Sequence, residues 1–225
     1  MSTITVSNKT LQNHEHKSAI QVEIEKTIDD LIGSLPNPQQ LTSDERRGII
    51  ARYSSVLEGN FIYWMTAALI AVSSEEAREE LVENLHEEVH DSHPDMLRRF
   101  AIAAHSFPTD ADSLAVNEDL TRMRKFLGRL SPVHSLVAMA FFEGFIQRFM
   151  PFLANLAAEM GSSEMEYTNV HGVCDIAHTA GLFRALDVEM SISALESDSE
   201  LMEGVSLLRA LIERIVNYRQ ATLAA

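Results

Sequence analysis

Apolar residues recur three and four positions apart along most of the chain, and strict two-residue alternation is not sustained over any useful length. That is the periodicity of helices with one buried face. Between Lys17 and Leu35 the apolar set is Ile20, Val22, Ile24, Ile28, Leu31 and Ile32, and Pro36 and Pro38 stop the run. Thr42-Ser-Asp-Glu45 reads as a capping box. It opens a long helix through Ile49, Tyr53, Val56, Phe61 and Trp64 to about Val72. Ser73-Ser-Glu-Glu76 is a second such box, and its helix carries Leu81, Leu85 and Val89. Pro94 marks a break, after which Asp95 to His105 continue as helix. A loop from Phe107 leads to a polar helix over about Asn117 to Leu130. Ser131-Pro132 is a strong start signal, a cap residue followed by proline at the first helical position. That helix is expected to reach Met160, kinked near Pro151 and closed by Gly161. Two more helices cover about Asn169 to Met190 and Ser199 to Thr222. Residues 1–16 are polar and read as a flexible N-terminal segment. The remainder, 17–225, reads as one all-α domain of about seven or eight helices.

Composition narrows the function. The 225 residues are ample for a buried core, and 9 Gly with 6 Pro leave little room for a turn-rich β fold. A net charge of −15 disfavours phosphate backbones and anionic membrane surfaces, so neither nucleic acid nor membrane is an expected partner. The first twenty residues lack a signal-peptide apolar core, and a single cysteine, Cys174, suits a reducing cytoplasm. The longest apolar stretch, about Leu136 to Ala158, is interrupted by Glu143, Gln147, Arg148, Pro151 and Asn155. It reads as a helix buried inside a protein and not as a membrane span.

The chemistry concentrates in three places. His171, Asp175 and His178 are spaced i, i+4, i+7, which stacks two imidazoles and a carboxylate on one helix stripe. Such a stripe is half of a transition-metal site. Glu143 sits within the apolar run Leu136 to Ile146, where an uncompensated carboxylate is costly; a metal is one solution and a pair with Arg148 another. The run Glu83 to His93 holds three histidines and four acids. Within it Glu88 with His93, Glu83 with His86, and Glu83 with His90 are all readings, and a solvated charged face is the bland one. Three helices together can supply three histidines and three carboxylates, a nitrogen and oxygen set that suits iron or manganese.

This arrangement resembles the haem-oxygenase-like di-iron oxidases and oxygenases, which keep the haem oxygenase helical bundle without the haem. Their pattern is a Glu and a His on one helix, a Glu on a later one, then His-x3-Asp-x2-His. The last element matches His171, Asp175 and His178, the middle Glu matches Glu143, and Asn84-Leu85 through Glu88 and His93 to Phe100 matches the first. The resemblance runs from about 41 to 190. It implies a haem-oxygenase-like bundle, two ferrous ions (Fe2+) and O2 as co-substrate. It also implies that Glu88, His93, Glu143 and His171 serve one iron, that Asp175 and His178 serve the other, and that one carboxylate bridges them. The expected reaction is N-oxygenation, oxidative desaturation or cleavage of a small amine or amino acid, free or tethered to a carrier protein, in small-molecule biosynthesis. A homodimer is compatible with this.

The chain departs from the pattern in one respect. Glu88 and His93 are five apart, about 140° around a helix, so the backbone must unwind before Pro94. Glu87 stays an alternative to Glu88, and Glu58 is a candidate extra ligand. Phe61, Tyr63, Trp64, Met139, Phe142, Phe145 and Phe149 are pocket candidates that also suit a plain core, and Arg148 and Arg184 are candidates for a substrate carboxylate. Competing readings are a thiaminase-like hydrolase using Cys174, a cofactor-free oxidase, a true haem oxygenase with an early histidine (His14 or His16), and a non-enzymatic iron-binding module.

Overall fold

The computed structural model describes residues 17–193 and 198–218. The segment 1–16, with His14 and His16, and the expected helix end at Thr222 lie outside them. Among the described residues the chain is helical with no strand: α1 (Ala19–Gly33), α2 (Ser43–Leu57), α3 (Asn60–Ala71), α4 (Glu75–His90), α5 (His93–Ala103), α6 (Asp110–Leu127), α7 (Pro132–Glu159), α8 (Glu166–Ile192), the four-residue α9 (Asp198–Leu201) and α10 (Glu203–Asn217).

Local chemistry sets the boundaries. Thr42 and Glu45 form the expected capping box of α2. Thr109 and Asp112 form another for α6, which therefore starts seven residues before the expected Asn117. The expected helix from Thr42 to Val72 is two helices. Gly59 stands between them at φ +78°, a left-handed conformation that glycine takes without steric cost. Asn60, just after it, accepts hydrogen bonds from the Arg124 guanidinium at 2.5 and 3.1 Å, which holds the start of α3 to α6. After α7, Gly161 at φ +85° ends the helix, and the Ser162 amide reaches back to the Ala157 carbonyl at 3.0 Å.

α7 is the central rod. Its middle and C-terminal half bury apolar side chains against α1, α3, α8 and α10, while Pro151, Asn155, Ala158 and Glu159 are exposed, and it runs on through Pro151 as one helix. Alone among the described helices it is long and apolar enough to cross a membrane, but it is wrapped by its neighbours as a core helix is. α8 lies along α7, and α4 packs on α8 from the other side. The candidate ligands thus sit on four helices, and α8 packs against each of the other three, α4, α5 and α7.

Candidate metal centre

The break between α4 and α5 decides the geometry of the first ligand pair. α4 ends at His90. Ser92 then takes a left-handed conformation (φ 58°, ψ 41°), and α5 begins at His93 with Pro94 in its first turn. The reversal points two side chains inward that an unbroken helix would splay apart. Glu88 Oε1 and His93 Nδ1 meet at 2.8 Å, and both residues are buried.

α8 supplies the facing groups. His171 donates its Nδ1 proton to the Tyr167 carbonyl oxygen at 2.9 Å, so Nε2 carries the lone pair, 3.6 Å from Glu88 Oε1. The imidazoles of His93 and His171 stand edge to face at 4.5 Å. Behind them the Tyr53 and Tyr167 hydroxyls share a hydrogen bond of 2.8 Å. Glu88, His93 and His171 therefore present one ligand atom each, all within 4.8 Å of one another.

One turn along α8 a second group gathers. His178 Nε2 donates to Glu87 Oε2 at 3.0 Å, which leaves its Nδ1 as a lone pair. That Nδ1 lies 3.9 Å from Glu143 Oε1 and 3.8 Å from Asp175 Oδ1. Three buried atoms here have no hydrogen-bond partner: His178 Nδ1, Glu143 Oε1 and Asp175 Oδ2. The separations of 3.8 and 3.9 Å from His178 Nδ1 to the carboxylate oxygens beside it are too long for hydrogen bonds. Ligand atoms about 2.1 Å from a common ion stand about 3.0–4.2 Å apart, depending on coordination geometry. The separations of 3.6, 3.8 and 3.9 Å all lie in that interval. A cation is the partner this arrangement lacks, and the donor set of imidazole and carboxylate fits iron.

The electrostatics agree. Burial and the nearby Asp175, Glu88 and Glu87 push the Glu143 carboxyl well above its ordinary range. Asp175 is raised to about 6, mainly by burial, although His171 and the Cys174 thiol pull the other way. Glu88 is held at about 2; burial favours its neutral form, but the imidazoles of His171 and His93 beside it prevail. One carboxylate is thus charged and satisfied, while two await a positive charge.

Other expected participants fall elsewhere. Arg148 pairs with Asp29 and not with Glu143, and Arg184 pairs with Glu80 at 2.6 Å, so neither guanidinium points at the centre. Glu58 caps α2 and pairs with Arg98 on the flank of the bundle. Glu83, His86 and His90 lie on the exposed face of α4. Of the aromatic pocket candidates Phe61 lines the pocket over Glu88, His93, Glu143 and His171, together with Ile62, Leu97 and Ile146. Trp64 packs edge-on against Phe142 and Phe145 stacks on Phe149, which makes them core; Tyr63 is largely exposed. The pocket itself is about 20 Å³, room for about one water-sized particle.

Cys174, the nucleophile candidate of the hydrolase reading, sits beside the second group of ligand types. Its Sγ lies 3.1 Å from Asp175 Oδ1, and Cys174, Asp175 and His178 form a second compact group of ligand types. Burial, then the neighbouring carboxylate of Asp175, raises its thiol pKa, which makes it a poor thiolate nucleophile.

A family model described as an iron-containing redox enzyme matches residues 51–210. No curated protein matches the chain significantly.

Proposed function

Since the chain belongs to the iron-containing redox enzymes, we propose that it is a non-haem di-iron oxygenase or oxidase that uses O2 to oxidise a small amine or amino acid. The observation that carries this reading is the trio of buried, unpartnered acceptors on Glu143, Asp175 and His178, beside the complete group of Glu88, His93 and His171. Glu88, His93 and His171 would hold one ion, and Asp175 and His178 the other, with Glu143 between them. Iron held by these residues would supply the electrons for the reduction of dioxygen.

The protein's own residues prepare that chemistry. The Tyr167 carbonyl fixes the tautomer and angle of His171, and Glu87 does the same for His178. Phe61, Ile62, Leu97 and Ile146 wall the centre with apolar surface and keep bulk water from it. The narrow space over Glu88 and Glu143 suits dioxygen; the substrate would approach across the Phe61 and Ile62 wall, in the first turn of α3 just after Gly59. The substrate class is an amine or amino acid, free or carrier-bound, and the outcome N-oxygenation, desaturation or cleavage.

The test is an anaerobic Fe(II) titration of apoprotein, followed by rapid mixing with oxygenated buffer. The expected result is about two ferrous ions per chain and a transient visible absorption on oxygen exposure. His171→Ala and Glu143→Ala should each lower the stoichiometry. Unchanged iron binding in both variants would sink the proposal.

A further inference from the structure

α4 carries a second set of metal-ligating side chains that the buried centre does not use. His86 and His90 are one helical turn apart and both exposed. Their rings stack at 5.1 Å between centroids, with the planes 26° apart. Two imidazoles at i and i+4 are the spacing with which a helix grips a divalent ion from one face. The run is His86-Glu87-Glu88-Val89-His90. His90 is also held in a ligand-ready orientation: its Nδ1 bonds Asp91 Oδ1 at 2.9 Å, which directs the lone pair to Nε2.

Helical geometry connects this face to the interior. On α4 Glu83, Glu87 and His90 are neighbours at three- and four-residue spacing, with Glu87 on the shoulder toward α8. Two contacts fix that shoulder: Glu80 reaches Arg184, and one heptad later Glu87 reaches His178 Nε2 at 3.0 Å. Glu87 is 37 % exposed while His178 is buried, so this carboxylate has one side in water and the other on the buried centre. The acidic field of the molecule, net charge −15, draws cations toward such a surface.

We propose that His86 and His90 form a surface capture site for divalent iron, which passes the ion through the Glu87 carboxylate to the buried ligands. The delivery step rests on the di-iron reading above; the capture site stands on its own geometry. Two protein ligands leave the other positions of the ion to water, so it is held weakly and exchanges readily. The ion remains ferrous throughout. Glu87 would take the ion from the two imidazoles, giving up its bond to the His178 N–H, and would recover that bond once Asp175, Glu143 and His178 Nδ1 hold the ion.

The experiment compares parent apoprotein with the H86A/H90A variant and with His178→Ala. Calorimetric titration with Zn(II) is expected to show, besides tight binding, one weak site in the parent and in His178→Ala that is missing from H86A/H90A. Anaerobic mixing with Fe(II), quenched at intervals with a ferrous chelator, is expected to show H86A/H90A loading its buried centre on the order of tenfold more slowly, with the same final iron content. Retention of the weak site in H86A/H90A overturns the capture site. Loading at the parental rate, with the weak site gone, overturns delivery. Failure of the di-iron reading shows itself separately, as His178→Ala binding as much iron as the parent.

Discussion

At the scale of single residues the centre is governed by one unfavourable placement. Glu143 is 2 % exposed, in the middle of the longest described helix and among buried apolar neighbours, with Oε1 bonded to nothing. A buried, unpartnered acceptor costs about 1–3 kcal/mol, and more if it is ionised. An ion at the proposed centre would offset this cost. Glu143→Gln removes the charge and keeps the shape. The apoprotein of this variant is expected to melt at or above the parent's temperature, while the upward shift of melting temperature on adding Fe(II), present in the parent, is largely lost. A variant that melts lower as apoprotein yet still gains the full shift would mean that Glu143 is a structural group and no ligand. This residue was legible in the sequence because its neighbours are so uniformly apolar. Cys174 was named from the sequence only as a possible nucleophile, and its 3.1 Å contact with Asp175 was not legible, since helical spacing gives direction and not reach.

At the scale of elements the question is what holds α4 and α8 in register, because they carry four of the six expected ligands. Glu189, fully buried near the end of α8, accepts from the amides of Ser73 and Ser74 at 2.8 and 2.6 Å. It caps the N-terminus of α4 from another helix, where the first amides have no partner of their own. Glu189→Ala strands the buried Ser74 amide at roughly 1–3 kcal/mol and leaves the Ser73 amide, on an exposed residue, to water. It should lower the melting temperature and iron affinity together, whereas Glu189→Gln, which retains an acceptor oxygen, should recover most of both. Equal loss in the two variants would show that the negative charge, and not the hydrogen bonds, is what matters. Nothing in the sequence distinguishes Glu189 from the other acids of α8, since the contact spans more than a hundred residues. Elements announced by local chemistry were readable: the Thr42 box, the Ser131-Pro132 start, the break at Pro94. The turn at Gly59 was hidden because apolar spacing continues across it, and the two-residue unwinding at Asp91 and Ser92 could be required but not positioned from sequence.

At the scale of the whole molecule, the order in which helices assemble around α7 was outside the reach of periodicity, which gives each helix a buried face but no partner. Polar ties across that arrangement make it specific, and one of them is open to a pH test away from the metal centre. Asp112 caps α6 through Thr109 and accepts from Arg47 of α2 at 2.9 and 3.1 Å. Burial opposes its ionisation, but the Thr109 bonds and the Arg47 guanidinium outweigh burial and hold its pKa below the ordinary value. A carboxyl depressed in the folded state stabilises the fold above its unfolded pKa, and the contribution drains away as pH falls through the folded one. At pH 7, therefore, Asp112→Asn should melt below the parent, about 2–4 °C for each kcal/mol lost in a chain of this size. The gap should narrow as pH drops below about 4, because the parent's own Asp112 then becomes neutral. Melting curves of the two apoproteins between neutral and acid pH decide it: a gap that stays constant across the range would mean that Asp112 acts through shape and hydrogen bonding alone, with no part for its charge on Arg47.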